Sequence, residues 1–282
     1  MQPRSRCLLW GLASLAALIV TASCSTGPQP LQPGTPPFYW AAAQHTFETG
    51  DYLKTSDNLD KLAGSQNEYT ARAQPWRLIL TSGIASGLMD VADSYEKGAR
   101  VKKAAMASHL TQMAKYRSRA DRQALQCGET FLKFKNAQPG PAIELAFGYP
   151  RGSALPVQGL MKIAQGILVP EAELESIERQ SIERSVLMMT SRAVGAEGDP
   201  AKAQEAFRTT PVQVPREKFR YAMAAAMRDF ADFYGPRKLD RPDRQKLFLE
   251  EALDALKGLP ETKDSKKLTS DIRTILKKLP KR

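Results

Sequence analysis

The chain is poor in the residues that carry most protein chemistry. Its 282 residues include only two histidines and three cysteines. His45 and His109 stand 64 positions apart with no cysteine beside either, so nothing has the spacing of a zinc site. No Gly-x-x-x-x-Gly-Lys loop is present to cradle a phosphate. Ser94-Tyr95-Glu96-Lys97 has the Ser-x-x-Lys spacing of penicillin-binding enzymes, but neither a Lys-Thr-Gly nor a Ser-x-Asn partner element follows. Carboxylates lie at helix starts or beside arginines, as Glu175 does four before Arg179. These gaps argue against an enzyme and against any metal or cofactor. Long apolar runs are also scarce. Beyond Val20 the longest uncharged one is Leu78 to Met89, twelve residues where a spanning helix needs about twenty. It reads as a buried core helix.

What is present begins at the N-terminus. Arg4 and Arg6 precede a fourteen-residue apolar run from Cys7 to Val20, and Thr21-Ala22-Ser23 lead into Cys24. Basic start, short apolar stretch and small residues make the three-part layout of a secretory signal peptide. Ending on cysteine, it resembles the bacterial lipoprotein signal, with Thr21 and Val20 where that family carries its branched apolar residue. The resemblance implies a diacylglycerol on the Cys24 sulfur, palmitate-type acyl chains, and cleavage that makes Cys24 the first mature residue. The alternative is an ordinary signal peptide or anchor. Two or three acyl chains, at about 0.8 kcal/mol per buried methylene, give stable anchoring. Ser25, where the enterobacterial family places Asp to retain a protein at the inner membrane, implies the outer membrane and its periplasmic face.

Removing residues 1–23 takes away Arg4 and Arg6, so 41 basic groups become 39 against 30 acidic ones and the formal charge falls from +11 to +9. In the cell envelope such a balance suits anionic lipid, cell-wall polymer or acidic proteins rather than nucleic acid. Cys7 leaves with the signal and Cys24 carries lipid. Cys127 then has no disulfide partner, and packing alone must hold the fold. Residues 24–37, with five prolines, two glycines and no charge, read as an extended tether of about 40 Å. Residues 38–282 follow as one helical domain.

Thr35-Pro36 provides a hydroxyl cap and an N1 proline for the first helix. Gly50-Asp51 closes that helix and caps the next, where Tyr52, Ser56, Leu59 and Leu62 form one stripe. Gly50-Asp51-Tyr52, with Tyr39 eleven and Ala43 seven before the glycine, resembles the helical-hairpin turn of the tetratricopeptide repeat. Gly87 (with Trp76, Leu80, Ala92 and Ala99) and Gly198-Asp199-Pro200 (with Leu187, Ser191, Ala203 and Phe207) are further partial matches. The expected fold is all-α: an irregular array of antiparallel helical hairpins, either a repeat-like superhelix or a helical bundle. Trp76–Lys97 and Arg100–Lys135 read as an antiparallel pair, with Gly83 and Gly87 admitting a close backbone. Lys97 to Arg122 holds eight basic residues against Asp121 alone, flanking an apolar stripe of Met106, Leu110 and Met113 that continues to Arg117. That face is either simply solvated or turned to an anionic partner.

Gln138 to Val169, with four prolines and five glycines, reads as a long loop with short helices near Ala142–Phe147 and Pro156–Leu168. Phe147 and Tyr149 are its candidate site residues, unless they only pack. Pro170–Ala196 and Arg216–Tyr234 are periodic helices, the latter with Phe219, Met223, Ala226, Phe230 and Phe233 on one face. Asp240–Lys257 and Ser265–Leu279 complete the helices, and no strand is expected. The last helix pairs an apolar stripe, Leu268, Ile272, Ile275 and Leu279, with Lys266, Lys267, Arg273, Lys277 and Lys278. It either caps the array or binds an anionic surface. Two functions remain open. Tetratricopeptide-like lipoproteins present helical surfaces to envelope proteins. The anchor, the Trp76 helix and the basic helix after it also resemble the helical lipoprotein T-component of TRAP transporters, which implies handling of a small solute.

Overall fold

A computed structural model describes residues 31–137 and 140–280. Cys24, the leader and most of the tether lie outside the described residues. Ten α-helices run in chain order: α1 Pro36–Glu48, α2 Tyr52–Ala63, α3 Thr70–Val101, α4 Met106–Ala137, α5 Gln158–Ala164, α6 Glu171–Ala193, α7 Pro200–Ala206, α8 Arg216–Phe233, α9 Pro242–Leu256 and α10 Lys263–Lys278. The protein is predominantly helical, as expected.

The centre is α3. Of its 32 residues 21 are buried, among them the whole run Leu78–Ala85, so it is enclosed on every side instead of presenting one apolar stripe. α4 lies along it as the expected antiparallel partner, α6 packs on another side, and α2 and α5 cover the remainder. α8 and α9 form a second pair, and α10 lies against them. The glycines on α3 set how close α6 comes. A Cβ at Gly83 would sit 2.6 Å from the Val186 Cα, and one at Gly87 would sit 2.8 Å from the Ile182 Cα. The Ser181 hydroxyl donates to the Gly87 carbonyl at 2.9 Å, a contact open only because the backbones meet.

Two of the three proposed hairpin turns form. Gly50 and Gly198 both adopt φ of +79°. Asp51 and Asp199 then cap the following helices by accepting from the Lys54 and Lys202 amides. Gly87 is no turn. It lies inside α3, where its missing side chain serves close packing. The first helix does start at Pro36, but the Thr35 hydroxyl donates backwards to the Gln32 carbonyl at 2.7 Å and does not cap it.

Two further expectations fail. Residues 142–145 are a strand, not a helix: Ala142–Leu145 pairs antiparallel with Val212–Pro215, Ile143 facing Val214 and Leu145 facing Val212. Those four apolar side chains point inward and Glu144 and Gln213 do not, a period-2 pattern on four-residue strands. The α4 stripe also outruns its support. Arg117, Ala120, Ala124, Cys127 and Phe131 are buried, but Met106 and Leu110 at its start are exposed. The residue enclosed at that end is His109.

Candidate functional site

The sequence-derived candidates separate into three places. Phe147 is buried in an aromatic group, its ring 5.1 Å from Trp40, 5.0 Å from Phe47 and 5.5 Å from Trp76. It ties the segment after the Ala142–Leu145 strand to α1 and α3. Tyr149 packs on Phe207 at 5.6 Å and its hydroxyl donates to the Pro200 carbonyl. Cys24 falls outside the described residues. Cys127 is fully buried against Ser82, and that burial pushes its thiol pKa up, which leaves it unreactive.

The basic residues of α10 line clefts. The helix starts with a capping box in which Thr262 and Ser265 exchange side-chain-to-backbone hydrogen bonds. Its apolar stripe faces the α8–α9 pair, with Ile272 buried and Leu268, Ile275 and Leu279 packed against the core. Lys267, Arg273, Lys277 and Lys278 are therefore left on the outward side with no ion pair among the described residues, while Lys266 pairs with Glu261 at 2.9 Å. Lys267 lines an open cleft of about 690 Å³ together with Tyr221, Leu268, Asp264 and Asp271. Lys266, Arg273 and Lys277 line a neighbouring cleft of about 460 Å³.

Tyr221 and Asp264 also border a third cleft, about 620 Å³, between the α6–α8 end and α10. One wall carries Arg192, Glu197, Glu217 and Lys218; the other carries Leu259, Pro260 and Ser265. Arg192 is fixed there by Glu197 at 2.7 Å and Asp229 at 2.8 Å. Burial, with Asp264 and Glu197 adding, pushes the Tyr221 pKa up, so its hydroxyl is a neutral hydrogen-bonding group at physiological pH. The two clefts that share Tyr221 and Asp264 are both open and of mixed charge. A separate cleft of about 430 Å³ runs between the Gly50-Asp51 turn and Glu175, Glu178 and Arg179 of α6.

Among the described residues no group of three His, Cys, Asp or Glu side chains is placed to hold a metal. Of the carboxylates at the clefts, Glu197 pairs with Arg192, Asp271 with Arg228, Glu261 with Lys266 and Glu178 with Arg119. Sequence reasoning found the α10 lysines and missed Tyr221 and Arg192. Tyr221 was visible as the polar residue two after Phe219, off the apolar stripe of α8, but nothing local ties it to Asp264, 43 residues later. Comparison of the chain with protein-family models, with curated proteins and with solved structures returned no match.

Proposed function

We propose that this chain is a lipid-tethered, non-catalytic binding protein of the bacterial cell envelope, held by Cys24 at the periplasmic face of the outer membrane, whose helical body docks partner proteins. The observation that carries this reading is the pair of clefts that share Tyr221 and Asp264. They are open and of mixed charge, they are lined from α6, α8 and α10, and Arg192 is held there by Glu197 and Asp229. Such a surface complements an extended or charged protein segment. A photo-crosslinking residue at Lys267 is expected to capture a defined envelope protein in intact cells, and Tyr221→Ala is expected to weaken the capture. Capture unaffected by Tyr221→Ala would sink the reading. Lipidation is checked separately: a fatty-acid probe is expected to label the wild type and not Cys24→Ala.

The cleft's volume of about 620 Å³ favours a second reading, a solute-handling role, because it lies within the usual size range of small-molecule sites. Absence of any captured protein, with a saturable thermal shift on adding a small anionic solute that Arg192→Gln abolishes, decides for it.

A further inference from the structure

Among the described residues ten large apolar side chains are prominently exposed, and six of them are Val101, Met106, Leu110, Met161, Ile167 and Leu168. They come from three segments that meet at one corner. The Gly98 backbone of α3 touches the carbonyl of Ile163 on α5 and the ring of His109 on α4. The backbone at Gly166 lies against the Lys102 side chain, where an added Cβ would come within 2.6 Å. Each of the six exposed residues is within five positions of one of these contacts. Val101 ends α3, Met106 and Leu110 start α4 on one face, and Met161, Ile167 and Leu168 belong to α5 and its exit.

The unpaired charge at this corner is mainly basic: Glu171 is exposed three residues after Leu168, and Glu173 pairs with Lys162. Arg100 and Arg117 are taken up by Glu96, and Arg119 by Glu178. Lys102, Lys103 and Lys115 are left exposed, with no ion pair among the described residues. An exposed aliphatic tip flanked by unpaired lysines differs from the Tyr221 clefts, which are of mixed charge, and shares no lining residue with them. Protein hot spots centre on aromatic or arginine anchors and the pockets they fill. This corner presents aliphatic side chains, and its lysines have stems long enough to lie along apolar surface while their ammonium groups reach phosphates.

We propose that this corner seats the folded body on a bilayer rich in anionic lipid, Met106, Leu110, Met161 and Ile167 entering the interface and Lys102, Lys103 and Lys115 pairing with headgroup phosphates. The acyl anchor would then be one of two membrane contacts, and the second would fix which face of the body is turned to partners. The inference stands whether or not the Tyr221 clefts bind protein.

The test uses the full chain added to vesicles whose lipids carry brominated acyl chains. An environment-sensitive fluorescent residue replaces Met106 or Ile167, with Leu247, an exposed residue of α9, as the control. With phosphatidylglycerol present, emission from positions 106 and 167 is expected to be quenched and that from 247 is not. Raising the salt or using phosphatidylcholine alone should relieve the quenching, and each of Lys102→Gln and Lys103→Gln should raise the lipid concentration needed for half-maximal quenching about fivefold. Met161→Asp should also abolish quenching at position 106, and the lysine variants keep the test open should that one misfold. Equal quenching at 247, none at 106 and 167, or indifference to lipid charge overturns the proposal. So does a photo-crosslink from position 106 in intact cells that lands on protein and not on lipid.

Discussion

Gly83 and Gly87 carry the sharpest test of the fold. In an exposed helix, replacing glycine with alanine stabilises by about 1 kcal/mol. Here the added methyl would meet backbone. At Gly83 it would lie 2.6 Å from the Val186 Cα and 2.8 Å from its nitrogen; at Gly87 it would lie 2.8 Å from the Ile182 Cα and the Ser181 carbonyl oxygen. Carbon contacts relax only near 3.5–4.0 Å, so α6 must retreat by about 1 Å, and a gap of that size forfeits a quarter to a half of each contact along the interface. Overpacking of this kind costs about 1–3 kcal/mol. At Gly87 the retreat also loosens the Ser181 hydrogen bond, worth about 1 kcal/mol. Subtracting the helix-propensity gain leaves a net loss of about 0–2 kcal/mol for Gly83→Ala and about 1–3 kcal/mol for Gly87→Ala. At about 2–4 °C per kcal/mol for a domain of this size, Tm falls by up to roughly 8 °C for the first and by roughly 2–12 °C for the second.

The comparison that isolates the effect is Gly64→Ala. Gly64 ends α2 at φ −71°, and its Cβ would have no neighbour nearer than 3.6 Å. That change should be neutral or stabilise by about 0.4–1 kcal/mol. Val186→Ala should not rescue Gly83→Ala, because backbone atoms of Val186 lie as near as its Cγ2. Urea and thermal unfolding of the purified variants read all four. If Gly83→Ala and Gly87→Ala match Gly64→Ala, the α3–α6 backbones are not in contact and the packing described for α6 is wrong.

Three further outcomes follow from particular contacts. His109 is fully enclosed and neither ring nitrogen has a hydrogen-bond partner among the described residues, so His109→Leu should be at least as stable as the wild type, with a gain of up to about 1–3 kcal/mol in thermal unfolding. Asp254 is held below the ordinary carboxylate range by hydrogen bonds from Lys135 and Lys257. Its lowered folded-state pKa means that its contribution is present above about pH 4 and lost as pH falls through the folded value. Asp254→Asn should therefore be less stable than the wild type at pH 7, with the difference shrinking as the pH falls below about 4, in urea unfolding across pH. Ile272→Ala empties the buried position of α10 and should cost about 2–4 kcal/mol, whereas Lys277→Ala on the outward side should leave Tm unmoved.

Local chemistry made much of this fold legible. A glycine at positive φ followed by a capping aspartate is a device of adjacent residues, and at Gly50 and Gly198 it works as the sequence suggests. The long stripes of α2, α6 and α8 likewise follow from periodicity alone. Gly87 shows where such reasoning stops. Glycine serves both a left-handed turn and a close backbone approach, and the choice lies in Ile182, 95 residues away. The strands were hidden for the same reason: four residues at 142 pair with four at 212, and neither segment is long enough to show its alternation alone. Periodicity reports which side of a helix is apolar, not whether another element arrives to cover it. For Ala124 and Phe131 α3 arrives; in the first turns of α4 the side chain that α3 covers is His109, against Tyr95 and Gly98, and Met106 and Leu110 stay exposed. An apolar stripe that exceeds its intramolecular partner leaves surface for an intermolecular one, which is why the corner is sought at a membrane and the core stripe is not.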